Sequence, residues 1–186
     1  MRRSTFLLVL ALLAQGLLAG CGGSATPPRT APAGAPGPVT AMRALIRAEP
    51  ALAGTVRMLF EGSGWSVVQS TSATRASAVP FHLVGGRWRA DRAGGVTITI
   101  LGPEPGDRHA PALPQVAMEI RAHSAFVESA LWVDGTELEE KGGGSPTNGT
   151  IYGAPAHSLR AGMHVAVGYA RTATTAAAVA WIFDVS

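Results

Sequence analysis

Apolar and polar residues alternate along several segments in the C-terminal half of the chain. Residues 96–100, 116–120 and 179–185 each carry an apolar side chain at every second position. This period of two places successive side chains on opposite faces of a strand, so each segment predicts a strand with one buried face. Further strands are predicted at residues 130–133, 150–152 and 163–169. Turn residues separate the segments at a spacing typical of an all-β sandwich.

The pattern before residue 96 is mixed, and it predicts a helix followed by a second helical piece. Thr40 is placed to cap the first helix, and Pro50 suits the first turn of the second piece. Apolar residues then recur at i, i+4, i+7 and i+8, which is a helical spacing. They are Leu52, Val56, Leu59 and Phe60.

A short antiparallel meander is predicted after the helical segment. Its strands cover residues 65–69, 79–84 and 87–91. The last two strands are joined by Gly85-Gly86, a two-residue hairpin signal. That hairpin pairs Leu83 with Trp88 and Phe81 with Ala90. We expect the apolar face of the meander to receive the helix, with Trp65 and Trp88 in the core.

Composition divides the chain into four parts. Residues 21–39 are rich in Gly, Ala, Thr and Pro, and such a segment buries too little apolar surface to fold, so it is interpreted as a tether. The predicted parts are a leader at residues 1–20, the tether at 21–39, a small α+β domain at 40–98 and a sandwich domain at 99–186.

The leader has the features of an export signal. Arg2 and Arg3 precede an apolar run at residues 6–13, and small residues precede Cys21, the only cysteine. The apolar run is shorter than the about 20 residues that a membrane-spanning helix needs. The arrangement resembles a bacterial lipoprotein signal. This resemblance implies cleavage before Cys21, a fatty-acyl (palmitate-type) lipid on its thiol, and an extracytoplasmic protein anchored to the cell membrane or outer membrane. An uncleaved membrane anchor is the alternative.

Charge and cysteine content exclude several function classes. The chain has 15 basic and 12 acidic residues, and loss of Arg2 and Arg3 with the leader leaves 13 basic residues. No Lys/Arg-rich run offers a surface for phosphates, so we predict no nucleic-acid partner. A single cysteine permits neither an intramolecular disulfide nor a cysteine-rich metal site.

Four motifs follow one another in the C-terminal half. They are Leu131-Trp132-Val133-Asp134-Gly135, Ile151-Tyr152-Gly153-Ala154-Pro155, Leu159-Arg160-Ala161-Gly162-Met163-His164-Val165 and Trp181-Ile182-Phe183-Asp184-Val185. Together they resemble the immunoglobulin-like modules of bacterial surface and secreted proteins over about residues 99–186. The predicted fold class is therefore mainly β: a C-terminal immunoglobulin-like antiparallel β-sandwich, preceded by the small α+β unit. The chain departs from that pattern at residues 153–155 and 171–175.

Catalytic motifs are incomplete in this sequence. Gly64-Trp65-Ser66 begins like a nucleophile elbow, but Val68 replaces the second glycine. Gly142-Gly143-Gly144-Ser145 lacks the third glycine and the following helix of a dinucleotide loop. The acidic residues at 137, 139 and 140 are interpreted as a solvated turn, with a calcium site as the alternative. We predict no catalytic, cofactor-binding or metal-binding residues, and no enzyme activity.

A copper-binding protein is the main alternative hypothesis, since small periplasmic copper proteins with an immunoglobulin-like fold use His and Met ligands. The candidate ligands are His109, Met118, His123, His157, Met163 and His164. Met118 and Met163 alternate with apolar residues and are predicted to be core. His164 is assigned a structural role, either exposed or bonded to a loop carbonyl.

The leading hypothesis is a non-catalytic, lipid-anchored extracytoplasmic protein with a binding or structural role. Its sandwich would use edge strands and end loops to contact another envelope protein or a surface polysaccharide. The membrane is reached through the lipid on Cys21. The interaction role follows from analogy of fold.

Overall fold

The computed structural model describes residues 36–186. The leader, Cys21 and most of the predicted tether lie outside the described residues. The helical elements are α1 (Pro38–Ala48) and a 3₁₀ turn (Pro50–Leu52). The strands are β1 (Thr55–Gly62), β2 (Trp65–Thr71), β3 (Ala76–Val84), β4 (Arg87–Ala90), β5 (Val96–Gly102), β6 (Val116–Ala122), β7 (Phe126–Val133), β8 (Thr136–Glu137), β9 (Lys141–Ser145), β10 (Asn148–Gly153), β11 (Gly162–Thr172) and β12 (Ala176–Val185).

The C-terminal strands form two antiparallel sheets that face each other. The outer sheet has the order β5-β6-β10-β9, and the central sheet has the order β12-β11-β7-β8. These orders match the ABED and GFC sheets of the immunoglobulin fold, with one short extra strand beside the C position. The predicted mainly β fold with a C-terminal antiparallel sandwich is confirmed.

The sandwich core lies between the outer and central sheets. Trp181, Phe183 and Val185 point into it from β12, as their alternation predicted. Val116, Met118 and Ile120 face them from β6 and are fully buried. The core therefore has large apolar side chains from both sheets, and burial of this apolar surface stabilises it.

The N-terminal sheet has the order β1-β2-β3-β4 and carries α1 on one face. Met42 of α1 is fully buried there, in a cluster with Val68 and Phe81. The predicted hairpin is confirmed, because β3 and β4 pair Leu83 with Trp88 and Phe81 with Ala90. Helix α1 begins at Pro38 after Gly37, two residues before the predicted cap at Thr40. Proline is tolerated there because the first helical turn leaves its N–H groups unbonded.

The predicted second helical piece is wrong beyond Leu52. Residues Thr55–Gly62 form β1, which pairs with β2 through a turn at Ser63 and Gly64, both with positive φ. A β-bulge shifts the register between Met58 and Phe60. A bulge inserts one residue into the strand, so period-two alternation is broken. The inserted residue gave the apolar residues of this strand a spacing that imitates a helix.

The N-terminal sheet packs on the face of the central sheet that lies opposite the sandwich core. Trp65 and Val67 of β2 meet Trp132 of β7 and Val167 and Tyr169 of β11 in this second core. As a result, the central sheet is buried on both faces. The layers follow the order α1, N-terminal sheet, central sheet, outer sheet. Strand β5, which begins at Val96, crosses the predicted domain boundary at residue 98.

Over residues 36–186, no helix combines the length and the apolar character needed to cross a bilayer.

Candidate functional site

The turn between β7 and β8 is the starting point of the candidate site. Asp134 and Gly135 have φ values of 50° and 75°. Two consecutive positive φ values fit the tight hairpin turns for which Asp-Gly is favoured. The positive φ favours glycine at position 135, and a Cβ there would also displace the Arg57 guanidinium. The turn therefore fixes the direction of the Asp134 side chain.

Asp134 connects three elements through its backbone and its carboxylate. Its Oδ1 accepts the Val165 N–H at 3.0 Å, and its Oδ2 lies 2.7 Å from Nδ1 of His164. Its N–H donates to the Val165 carbonyl at 2.9 Å. Arg57 of β1 donates to the Asp134 carbonyl at 2.5 Å. Asp134 thus joins the N-terminal sheet, the β7–β8 turn and β11.

His164 is held through both ring nitrogens. Its Nε2 lies 2.7 Å from the Arg160 carbonyl, while its Nδ1 faces Asp134. A carbonyl and a carboxylate only accept hydrogen bonds, so both ring nitrogens donate and the ring carries a positive charge. The side chain is 11% exposed, and the ring packs against Phe183 at a centroid distance of 5.7 Å. Its predicted structural role, with a bond to a loop carbonyl, agrees with this geometry, although the residue is buried.

Opposing effects set the pKa of His164. Burial lowers it, because a low-dielectric environment disfavours the charged ring. The hydrogen bonds to Asp134 and to the Arg160 carbonyl, with the negative charges of Asp134 and Asp184, act in the other direction. Together these favourable contacts raise the pKa above its ordinary value. The charged ring therefore stabilises the folded chain.

This raised pKa predicts a loss of stability at alkaline pH. The contribution of His164 to the free energy of unfolding is fully present below its unfolded pKa of about 6.5, and it declines as pH rises through the higher folded pKa. We expect the stability difference between the native protein and His164→Gln, measured by urea unfolding, to shrink from about pH 5 to about pH 9. His123→Gln is the control because His123 is exposed. An unchanged difference across this range would contradict the assignment.

A cleft of about 340 Å³ lies next to this pair at one end of the sandwich. One wall is formed by the β7–β8 turn and the residues just after it, and the other by residues 154–159 between β10 and β11. Leu159 donates its N–H to Ala112 at 2.8 Å, and the Arg160 carbonyl is held by His164. The second wall is thus fixed at its C-terminal end. Exposed His157 lies in the lining.

The hydrogen bonds of Asp134 and His164 connect structural elements of the fold. Among residues 36–186, neither Asp134 nor His164 has a hydrogen bond to a serine, threonine or cysteine side chain. A hydrolytic triad needs a nucleophile bonded to its histidine. The arrangement positions the walls of the cleft.

No protein-family model matches this chain, and a search of curated proteins found no match. Function is therefore inferred from the fold and from the residues themselves.

The candidate copper ligands are distributed over the molecule. Met118 is fully buried in the sandwich core, as predicted. The core prediction for Met163 is wrong, since its side chain is 45% exposed at the start of β11 and belongs to neither packed core. His109, His123 and His157 are exposed. Within the described part of the chain, no three His, Cys, Asp or Glu residues come together in a way that could hold a metal ion.

The acidic segment was predicted to be fully solvated, and this is wrong for one of its residues. Glu137 and Glu139 are exposed, but Glu140 is half-buried and accepts a hydrogen bond from the Ser129 hydroxyl at 3.0 Å. Its burial raises the pKa of the Glu140 carboxyl, an effect that the Ser129 bond partly offsets. Gly142-Gly143-Gly144-Ser145 lies within the edge strand β9.

Two long-range polar contacts were not predicted from sequence, one between sheets and one between the paired strands β7 and β11 of the central sheet. Arg57 reaches Asp134 across 77 positions, and Arg171 donates to Glu128 at 2.5 Å across 43 positions. Arg171 also lies over the ring of Trp65, 5.9 Å from its centroid. Pairs so distant in sequence leave no local motif, because the stacking of two sheets brings Arg57 to Asp134 and the pairing of β7 with β11 brings Arg171 to Glu128.

Proposed function

We propose that this protein is a lipid-anchored, extracytoplasmic binding or structural protein. Its immunoglobulin-like module would contact another envelope protein or a surface polysaccharide. The main support is that Asp134, in the wall of the cleft, is hydrogen-bonded to both the N-terminal and the central sheet. A binding surface held by rigid elements loses little conformational entropy when a partner binds.

The character of the polar groups supports binding over catalysis. The Asp134 carboxylate and both nitrogens of His164 are occupied by structural hydrogen bonds. The Arg171–Glu128 pair is likewise bonded within the fold. Loops at the ends of sandwiches are common contact sites in this architecture. The support therefore comes from the rigid cleft together with analogy of fold.

The lipid anchor is tested by Cys21→Ser. We expect this variant to lose incorporation of radiolabelled palmitate and to move from the membrane fraction to the soluble fraction, because each buried methylene of the lipid contributes about 0.8 kcal/mol. Ser24→Ala is the matched control and should stay in the membrane fraction with its label. Equal labelling of Cys21→Ser, or unchanged fractionation, would show that another feature holds the protein.

The binding role is tested by photo-crosslinking in cells that produce the protein. A crosslinking amino acid at His157, in the lining of the cleft, is expected to capture one reproducible envelope protein or polysaccharide. The control position is Val127, which is 57% exposed on β7, at the end of the strand away from Asp134. Equal capture from both positions would contradict a role for the cleft. Turnover of a small substrate by the purified protein would overturn the proposal.

A further inference from the structure

Two strands leave part of an edge unpaired beside one groove. Strand β3 pairs with β4 only from Phe81 to Val84, and Pro80 is bonded to Asp91, so residues 76–79 have no paired strand on that side. Strand β12 is the edge of the central sheet. Its last residues contact the segment 106–110, while no strand of the described residues is hydrogen-bonded to Ala176–Ala180 on its outer side. The groove, about 460 Å³ in volume, is lined by residues 76–80 and 176–180.

A backbone hydrogen bond shows which groups point out of the β3 edge. The Pro80 carbonyl accepts the Asp91 N–H at 2.8 Å, on the side away from β2. Backbone groups alternate between the two edges of a strand, so those of Ala78 and Ala76 point the same way. Proline at position 80 fits this, since its missing N–H would have faced the open edge.

The outward backbone groups of β12 follow from the same alternation. The Ile182 carbonyl accepts the Gly106 N–H at 2.7 Å on the side away from β11. The backbone groups of Ala180 and Ala178 therefore point outward as well. Among residues 36–186, these groups have no hydrogen-bond partner on that side. The groove is thus bordered by two rows of free backbone donors and acceptors.

Asp91 lies at one end of the groove and is one of two charged residues in its lining. Its N–H donates to Pro80, and its Oδ2 accepts the Ala176 N–H at 2.8 Å. The other charged residue in the lining, Arg92, pairs with Glu49 at 2.8 Å. Both charges are therefore occupied. The remaining lining is rich in alanine, which lets another backbone approach closely.

The chain itself shows that this edge accepts an extended segment. Beyond the free part of β12, the Asp184 N–H donates to the backbone carbonyl of Asp107 at 2.6 Å. The Ala110 N–H donates to the backbone carbonyl of Asp184 at 3.0 Å. Ala110 also forms a parallel bridge with Val185. The free stretch at Ala178 and Ala180 continues this covered edge along the same strand.

We propose that the groove docks an extended, uncharged segment of a partner protein, which adds as a strand to β12 through the backbone of Ala178 and Ala180. This is recognition by β-augmentation, in which main-chain hydrogen bonds supply affinity. The free stretch admits about four residues at about 3.3 Å each, with small side chains towards the alanines. The inference rests on the proposed binding function. It adds the groove as a binding surface separate from the cleft, and it names the chemistry of the partner segment.

The test uses the purified full chain in detergent and a capped octapeptide of alternating threonine and alanine. We expect saturable binding, with slower solvent exchange of the Ala178 and Ala180 amides measured by NMR. Ala178→Pro removes one outward N–H without touching the ladder to β11. It should weaken binding by about tenfold or more, the effect of about 1.4 kcal/mol. Ala178→Ser is the matched control, because it keeps the N–H and should bind as the native chain does.

A second probe keeps the test decisive if Ala178→Pro does not fold. The same octapeptide, N-methylated at every residue, has no backbone donors and should not protect the two amides. Equal protection by both peptides, or by neither, would overturn the proposal. It would also be overturned if the free chain already protects these amides, through residues 22–35 or through a dimer seen by sedimentation. If the peptide binds but the crosslinker at His157 captures nothing, the cleft is refuted as a binding surface and the groove proposal stands. If the crosslinker captures a partner but the peptide does not bind, the groove proposal is refuted and the cleft stands.

Discussion

Replacing Trp132 by alanine is expected to lower the free energy of unfolding by about 3–5 kcal/mol. Trp132 is 1% exposed and lies between the central and N-terminal sheets, with Tyr169 at a centroid distance of 6.4 Å. Truncation leaves a cavity in the core that joins these sheets, and neighbouring strands relax only partly into it. Urea unfolding monitored by far-UV circular dichroism measures the loss.

Val127→Ala is the control for this prediction. Val127 lies on the same strand but is 57% exposed, so its truncation should change stability by less than about 0.5 kcal/mol. If the second core couples the sheets, Trp132→Ala should still unfold in one transition at lower urea. A native-like midpoint for Trp132→Ala would mean that the N-terminal sheet contributes little to the stability of the sandwich.

Asp134→Ala is expected to destabilise the protein by about 1–3 kcal/mol, because the buried His164 ring and the Val165 N–H each lose a hydrogen-bond acceptor, while solvent at the 47% exposed Asp134 carboxylate screens part of the effect. His164 would lose an acceptor for a charged ring that is 11% exposed, and the Val165 N–H would lose its bond to Oδ1. The turn would also place alanine at a φ of 50°, which disfavours a side chain without a local hydrogen bond. Thermal and urea unfolding near neutral pH measure the effect.

Two further variants separate the causes in this turn. Asp134→Asn tolerates the same φ and keeps one acceptor oxygen, so its loss should be smaller than that of alanine. Thr136→Ala tests the neighbouring exposed position and should be nearly neutral. The fastening role of Asp134 would be refuted if alanine and asparagine had equally small effects.

Outer-sheet strands such as β6 were predictable because they are buried chiefly on one face. In β6, Val116, Met118 and Ile120 are buried, while Glu119 and Arg121 on the other face are not. The β3–β4 hairpin was predictable for a different reason. Gly85 and Gly86 both have positive φ, which a two-residue turn of this kind requires. Local rules sufficed at these places.

Strand β1 shows where local rules fail. Its bulge between Met58 and Phe60 breaks the alternation, so apolar residues recur at a spacing that also fits a helix. Pairing with β2 decided between the two structures. Met163 was misassigned for a related reason, because alternation gives the face of a residue but not the extent of the layer that covers it.

The sequence by itself determined most of the strands, the β3–β4 hairpin and most residues of the sandwich core, since alternation, glycine positions and side-chain size are local properties. It also predicted lipid attachment at Cys21, which lies outside the described residues. Only the tertiary structure decided that the N-terminal sheet covers the central sheet, that Asp134 meets Arg57 and His164, and that β3 and β12 leave free edges beside one groove. These features depend on how two sheets stack, and residues that meet across sheets carry no fixed spacing along the chain.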